Sequence, residues 1–182
     1  HAALRDTLGS SATQAGSLNR AGYMRFDFTW GQQLSDATKT EIEEIANNAV
    51  RDNLEVTTRV LPLSEAKELG AMALFGEKYG EVVRTVQIHG VSMELCGGTH
   101  CRATGDIGAL VIVQETGIAA GVRRIEALTG AGAVRHLQHR RATLDRLLQA
   151  LNTPEDQALD AVERLRTDTK RLAREVSDLK LK

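Results

Sequence analysis

A chain of 182 residues suits one globular domain with an appendage, or two small domains. With 42% hydrophobic and 26% charged residues it carries enough apolar material for a packed core, which excludes disorder as the default reading. A net charge of -1 excludes a protein that coats nucleic acid through bulk charge, though not one with a local basic patch.

Aromatic residues make up 3%, so the core must be built mainly from Leu, Val, Ile and Ala. Charge is uneven. Residues 1–133 hold 12 Lys/Arg against 16 Asp/Glu, a net of -4, and residues 134–182 hold 11 against 8, a net of +3. Cys96 and Cys101 are too close in sequence for an unstrained disulfide framework, and a reducing, cytoplasmic compartment fits better. No apolar run approaches the roughly 18 residues of a membrane span, and no signal peptide is visible. The chain begins at His1, without Met, in what reads as the middle of a helix. It is therefore expected to be a piece of something longer.

Residues 2–8 read as the end of a helix closed by Gly9. Ser17-Leu18 and Met24-Arg25-Phe26-Asp27-Phe28 read as two strands around the turn at residues 19–22. Phe26 and Phe28 alternate with Arg25 and Asp27, the pattern of a half-buried strand. Ser35 precedes an amphipathic helix marked by Leu34, Ile42, Ile45, Ala46, Ala49 and Val50. With Thr38 three residues on, the full capping box is absent. Residues 56–61 form a β-branched strand ended by Pro62, and residues 64–69 a short helix stopped by Gly70. Residues 82–88 alternate as a strand, residues 109–114 read as a buried strand, and residues 124–127 as another. This order predicts an α+β fold with a mostly antiparallel sheet and packed helices.

Beyond Gly130 the pattern changes. Val134, Leu137, Leu144, Leu148 and Leu151 step by threes and fours, with Arg141 at the missed position. Thr153 is expected to cap a second helix with Pro154 at its first position. Val162, Leu165, Leu172, Val176 and Leu179 continue the stepping, with Thr169 at the missed place. The spacing predicts a coiled-coil seam with charged flanks over residues 134–182, capable of an antiparallel helical hairpin.

Three features carry chemistry. Cys96 and His100, four apart, would face the same side of a helical turn, and a thiolate with an imidazole suits Zn²⁺. Gly97 and Gly98 allow tight folding around an ion. Two donors are not a site, however, and a buried Cys beside an unrelated surface His is the plainer alternative. Cys101 reads as structural, His89 sits at a strand end from which a loop could bring it round, and His136 and His139 read as solvated. Second, the run from Gly117 to Arg124 joins small residues to the adjacent Arg123 and Arg124, which suit phosphate. The alternative is a tight turn with the arginines paired to Glu115 and Glu126. Third, Gln14 near Ser17 opens a strand, either as a ligand contact or as a surface residue.

Taken together, Ser92-Met93-Glu94-Leu95-Cys96-Gly97-Gly98-Thr99-His100, Thr104-Gly105-Asp106-Ile107-Gly108 and Gly121-Val122-Arg123-Arg124-Ile125-Glu126-Ala127 closely resemble the editing domain of alanyl-tRNA synthetases. His1-Ala2-Ala3-Leu4-Arg5, Gln14-Ala15-Gly16-Ser17, Arg25-Phe26-Asp27-Phe28 and the block at residues 70–80 look like further family blocks in family order. The resemblance covers residues 1–133, and the helical residues 134–182 look like the start of the family's C-terminal dimerisation region. Threonyl-tRNA synthetases and free-standing alanyl editing proteins share the metal motif. The Arg25–Phe28 block and the helical tail favour the alanyl enzyme or its longer free-standing relatives.

The resemblance implies hydrolysis of mischarged Ser-tRNA(Ala) or Gly-tRNA(Ala) in a zinc-dependent site, because binding alone discriminates poorly between such small side chains. It implies Cys96 and His100 as metal ligands, Gln14 and Cys96 in the pocket, and Arg123 with Arg124 toward the tRNA acceptor end. Arg123 is also a candidate for a neighbouring carboxylate, and Thr104 and Asp106 for shaping the turn beneath the metal loop. The family's other ligands, a His-x-x-x-His pair, are expected just upstream of residue 1, and His1 aligns with a histidine not counted among them. Two ligands alone are expected to bind Zn²⁺ poorly and leave the fragment inactive. ATP and Mg²⁺ belong to the parent's activation domain, which ligates alanine to tRNA(Ala). The competing readings are a non-catalytic tRNA-docking and homo-oligomerising module, and a free-standing trans-editing protein. A metallohydrolase of other substrates is weaker, for no His-Glu-x-x-His is present.

Overall fold

The computed structural model describes residues 1–72 and 79–181, so positions 73–78 of the block at residues 70–80, and Lys182, lie outside the described residues. The chain divides into two units, His1–Arg135 and His136–Lys182.

The first unit is α+β with two antiparallel sheets. α1 (Ala2–Leu8) leads into the hairpin of β1 (Gln14–Arg20) and β2 (Tyr23–Thr29). β6 (Leu110–Ala119) and β7 (Val122–Thr129) complete a four-stranded sheet of order β1-β2-β7-β6. α2 (Asp36–Arg51) starts where Ser35 accepts a hydrogen bond from the Thr38 amide at 3.0 Å, half of the capping box. Its Ile42 packs with Leu4, Leu34, Phe26, Phe28 and Ile125 into one core. Polar residues on the same helix hold the edge strand β6. Asn47 exchanges two 2.8 Å hydrogen bonds with the Leu110 backbone, and the Glu43 carboxylate accepts from the Ile112 amide at 2.7 Å. That occupies backbone groups an open sheet edge would otherwise expose.

The smaller sheet has the order β3 (Val56–Pro62), β4 (Val82–Ile88), β5 (Ser92–Leu95). α3 (Leu63–Glu68) lays its fully buried Ala66 on Leu61, Val83, Met93 and Leu95, a second core. β4 and β5 are joined by a tight turn at residues 89–91. Gly90 takes the left-handed conformation there (φ 75°), and the Val91 amide bonds the Ile88 carbonyl at 3.0 Å. β5 was not legible as a strand, because its four residues merge into the Cys/His segment.

β2 departs from the expected half-buried pattern. Phe26, Asp27 and Phe28 are all buried, so both faces of the strand are covered. Asp27 stands opposite Arg124 in the β2–β7 register, and the guanidinium grips it through Nε at 2.7 Å and Nη2 at 2.9 Å. On the other side Gly16 is opposite in β1, where an added Cβ would lie 3.3 Å from Asp27 Oδ2. A small residue there leaves room for the buried carboxylate.

The second unit is helical. α4 (Gly130–Leu151) begins in the first unit, and a single 3₁₀ turn at Glu155–Gln157 leads into α5 (Ala158–Lys180). Pro154 does not start the second helix as expected. Its extended backbone (ψ 162°) caps the 3₁₀ turn, and the helix proper begins four residues later. The seam residues Val162, Leu165, Leu172, Val176 and Leu179 are exposed, as are Leu137 and Leu144. Among the described residues no helix is long and apolar enough to cross a membrane.

The Arg124 hydrogen bonds hold the Asp27 carboxyl below the usual carboxylate range, outweighing the opposing push of burial. A depressed folded pKa contributes stability that is present above the unfolded value and lost as pH falls through the folded one. D27N is therefore expected to be less stable than the wild type at neutral pH, with the difference shrinking as pH falls below the ordinary aspartate value of 3.8. Urea unfolding at neutral and at acid pH checks this, and a pH-independent gap would assign the loss to something other than the ion pair.

Candidate metal and nucleic-acid site

β5 ends at Leu95, and residues 96–101 form an irregular loop rather than the helical turn that the four-residue spacing suggested. Cys96 and His100 nevertheless meet, with His100 Nε2 3.3 Å from Cys96 Sγ. Zinc bonds of about 2.3 Å to sulfur and 2.0–2.1 Å to nitrogen, at a tetrahedral angle, put two such donors about 3.6 Å apart. The pair therefore fits two corners of a zinc site. Among the described residues no third Cys, His, Asp or Glu joins them. Cys96 is half-buried and His100 is at the surface, so the site opens to solvent. Partial burial and then the Arg84 charge lower the His100 pKa, against the pull of Glu94. That favours the neutral imidazole, the form that binds metal.

The loop is fastened on both sides. Before it, the Cys96 amide donates to the Arg84 carbonyl at 3.1 Å. The Arg84 guanidinium in turn donates through Nη1 to the carbonyls of Cys96 (2.6 Å) and Gly98 (2.7 Å). After it, residues 102–104 are joined to the chain entering β3. The Val56 amide bonds the Arg102 carbonyl, and the Thr104 amide bonds the Leu54 carbonyl, both at 2.9 Å. The buried Thr104 hydroxyl donates to the Ala49 carbonyl and accepts from the Leu54 amide at 2.8 Å. Asp106 Oδ2 accepts from the amides of Arg102 and Ala103 at 3.2 and 3.4 Å. Thr104 and Asp106 thus shape the turn that follows the Cys/His loop.

The other sequence candidates lie on the four-stranded sheet. Gln14 opens β1 and donates to Ser17 Oγ at 2.9 Å. Arg123 and Arg124 point to opposite sides of β7, Arg123 to Glu115 and Arg124 to Asp27. Glu126 accepts instead from the Tyr23 hydroxyl at 2.7 Å. Glu115 holds the Arg123 pKa above its usual value, and Asp27 does the same for Arg124. His89 is exposed in the β4–β5 turn. His1 donates through Nδ1 to the Glu94 carboxylate (3.0 Å) with its ring against Phe26, so it joins the start of α1 to β5. Arg84 and Asn47 were not singled out from sequence. Arg84 is the one charged residue of its strand, which is the available signal for the first, and a mid-helix Asn gives none for the second.

Residues 83–126, which include Arg84, Cys96, His100, Thr104, Arg123 and Arg124, match the family model described as the threonyl and alanyl tRNA synthetase second additional domain. Over 179 residues, 98% of its length, the chain is 52% identical to the alanine–tRNA ligase of Clavibacter sepedonicus. It is 54% identical over 158 residues to that of Leifsonia xyli subsp. xyli, and 48% identical over 179 residues to that of Listeria innocua serovar 6a. It covers 86% of its own length in the Leifsonia match and 98% in the Listeria one. The chain spans about a fifth of these relatives' own length, 20%, 18% and 20% respectively.

Replacing Thr104 by valine keeps the shape but strands the Ala49 carbonyl and the Leu54 amide in the interior. T104V is expected to destabilise the unit by about 1–3 kcal/mol. Denaturant unfolding measures this, and a change within error would mean that the two backbone groups find other partners.

Proposed function

We propose, from the premise that this chain matches a fragment of alanyl-tRNA synthetase along nearly its whole length, that it forms the editing region of that enzyme. The reaction is hydrolysis of the ester between serine or glycine and the 3′-terminal adenosine of tRNA(Ala). Water adds to the ester carbonyl carbon, the ribose oxygen leaves with a proton, and free amino acid and uncharged tRNA remain. The parent's ligase reaction, with its ATP and Mg²⁺, lies in other parts of that protein. The compartment proposed is the cytoplasm.

One observation carries the reading: a thiol and an imidazole 3.3 Å apart in a loop within the family-matched residues. In this reading Cys96 and His100 hold zinc as thiolate and neutral imidazole, and the remaining donors come from residues outside this chain. Zinc, when bound there, would polarise a carbonyl or water, or orient the substrate. Gln14 supplies a side-chain amide to the pocket. Because Arg123 and Arg124 point to opposite sides of β7, at most one of them faces the acceptor end directly. Arg123 spends Nε on Glu115, and Arg124 spends Nε and Nη2 on Asp27, so each five-donor fork retains N–H groups for phosphate.

The exposed seam of α5 supports a second role beside the first, association of like chains through the C-terminal helices. Eight large aliphatic side chains on α4 and α5 at heptad-like steps, Val134 among them, are exposed in the single chain and would be covered by a partner helix.

In the full-length protein, C96A is expected to lose Ser-tRNA(Ala) deacylation by about 100-fold or more, at the upper end of what even an outer-shell change removes from a metal site. Aminoacylation with alanine should persist. Deacylation at the wild-type rate in C96A would sink the metal assignment. Analytical ultracentrifugation of the full-length protein should give a dimer or larger assembly that L165D and L172D together dissociate. A monomer at high concentration would rule out the helical association.

A further inference from the structure

Arg84 lies on β4, one strand away from β5, and its side chain does not reach a carboxylate in any hydrogen bond or ion pair among the described residues. It binds backbone instead. Nη1 reaches the Cys96 carbonyl at 2.6 Å and the Gly98 carbonyl at 2.7 Å, and Nη2 makes a long 3.5 Å contact with Thr58 Oγ1 on β3. The same residue's carbonyl accepts the Cys96 amide at 3.1 Å. Cys96 is therefore held through both its N–H and its C=O by one residue of the neighbouring strand.

The position matters because ladder pairing ends at Leu95, opposite Thr85. Beyond it, Gly97 and Gly98 offer no side chain that could anchor the loop, and an added Cβ on Gly97 would meet nothing within 4 Å. Glycines carry the largest conformational freedom of any residue. A loop containing two of them would sample many arrangements in which Cys96 and His100 are apart. The two carbonyls taken by Arg84 flank Gly97, so they fix the part of the loop that joins one donor to the other.

We infer that Arg84 is a positioning residue that clamps the Cys96-Gly97-Gly98 turn and so sets the Cys96–His100 separation for metal. The inference rests on the reading of Cys96 and His100 as metal donors. Arginine suits the task better than lysine. Its planar fork has fixed directions and stays charged, whereas an ammonium on a flexible stem does not fix two carbonyls at a set angle. Groups that orient metal ligands are worth about 10–100-fold in metal affinity.

The test uses the full-length protein with R84M and R84K. Methionine keeps an unbranched stem without donors, and lysine keeps the charge without the fork. Two quantities are read: the zinc dissociation constant by chelator competition, and amide hydrogen exchange in the metal-free protein. R84M should bind zinc about 10–100-fold more weakly, and R84K should fall between it and wild type. In R84M the amides of residues 97–100 should exchange about tenfold faster or more, while those of β4 and β5 stay as in wild type. Wild-type zinc affinity in R84M would overturn the inference. So would exchange that rises equally through β4 and β5, because Arg84 would then support the sheet rather than the loop. If the wild type itself binds no zinc, the metal reading fails, and the loop exchange still decides whether Arg84 clamps the turn.

Discussion

A carboxylate in the middle of a strand covered on both faces would ordinarily be expelled to solvent, and Asp27 stays because Arg124 stands opposite it in register. Side chains on a strand alternate, so a one-residue slip of β2 against β7 would put Arg124 on the wrong face and cost Asp27 both hydrogen bonds from it, leaving Arg25 of its own strand at 3.8 Å. The penalty for that slip makes the ion pair a register lock at the centre of the four-stranded sheet. It also fixes where the other arginine goes. With Arg124 committed to the Asp27 face, Arg123 must point to the opposite one, where Glu115 on β6 meets it. The adjacent arginines look like a single basic patch in the sequence. The register divides them between two faces.

The smaller sheet solves a different problem, that of holding a loop with little side chain of its own. The β4–β5 hairpin delivers Cys96 just past the last ladder pair, and residues 102–104 are pinned to the entry of β3 by two backbone bonds and the Thr104 hydroxyl. Both ends of the segment carrying Cys96 and His100 are thus tied to the same sheet. The His1–Glu94 bond runs from that sheet to the helix start, and the His1 ring rests on Phe26 of β2. His1 thus links Phe26 of the larger sheet to Glu94, two residues from Cys96.

The regular elements with a strong period were legible. The strand pattern at Phe26 and Phe28 reflects one apolar face, which a sequence displays directly, while the β-branched run before Pro62 and residues 82–88 display strand propensity. Other features depended on pairings distant in sequence. Asp27 reads as a solvent-facing residue until Arg124, 97 positions away, is placed opposite it. Asn47 and Thr104 act on backbone 63 and 55 residues away, and no local rule marks a polar side chain as reserved for a distant carbonyl. β5 was hidden for the opposite reason. Its four residues are too few to show a period before the glycines begin. At Cys96 and His100 the two side chains meet as the spacing predicts, but through a loop rather than a helix, because four residues of tight loop can close the same gap as a turn of helix.

That last point bears on how the separation of two side chains can be specified in a loop. A helix would fix two donors through its own hydrogen bonds, independently of the surroundings. A glycine-containing loop cannot, so its donor separation must be imposed from outside, here by Arg84 and by the anchored Thr104 segment. The advantage lies in placement. A loop at the end of a short strand leaves His100 at the surface, where donors from another segment and a bulky substrate can approach, while Cys96 stays half-buried against the sheet. Hydrogen bonds from a guanidinium on a neighbouring strand hold the backbone around Cys96 without enclosing the pair, the combination an open metal site would require under the proposed reading.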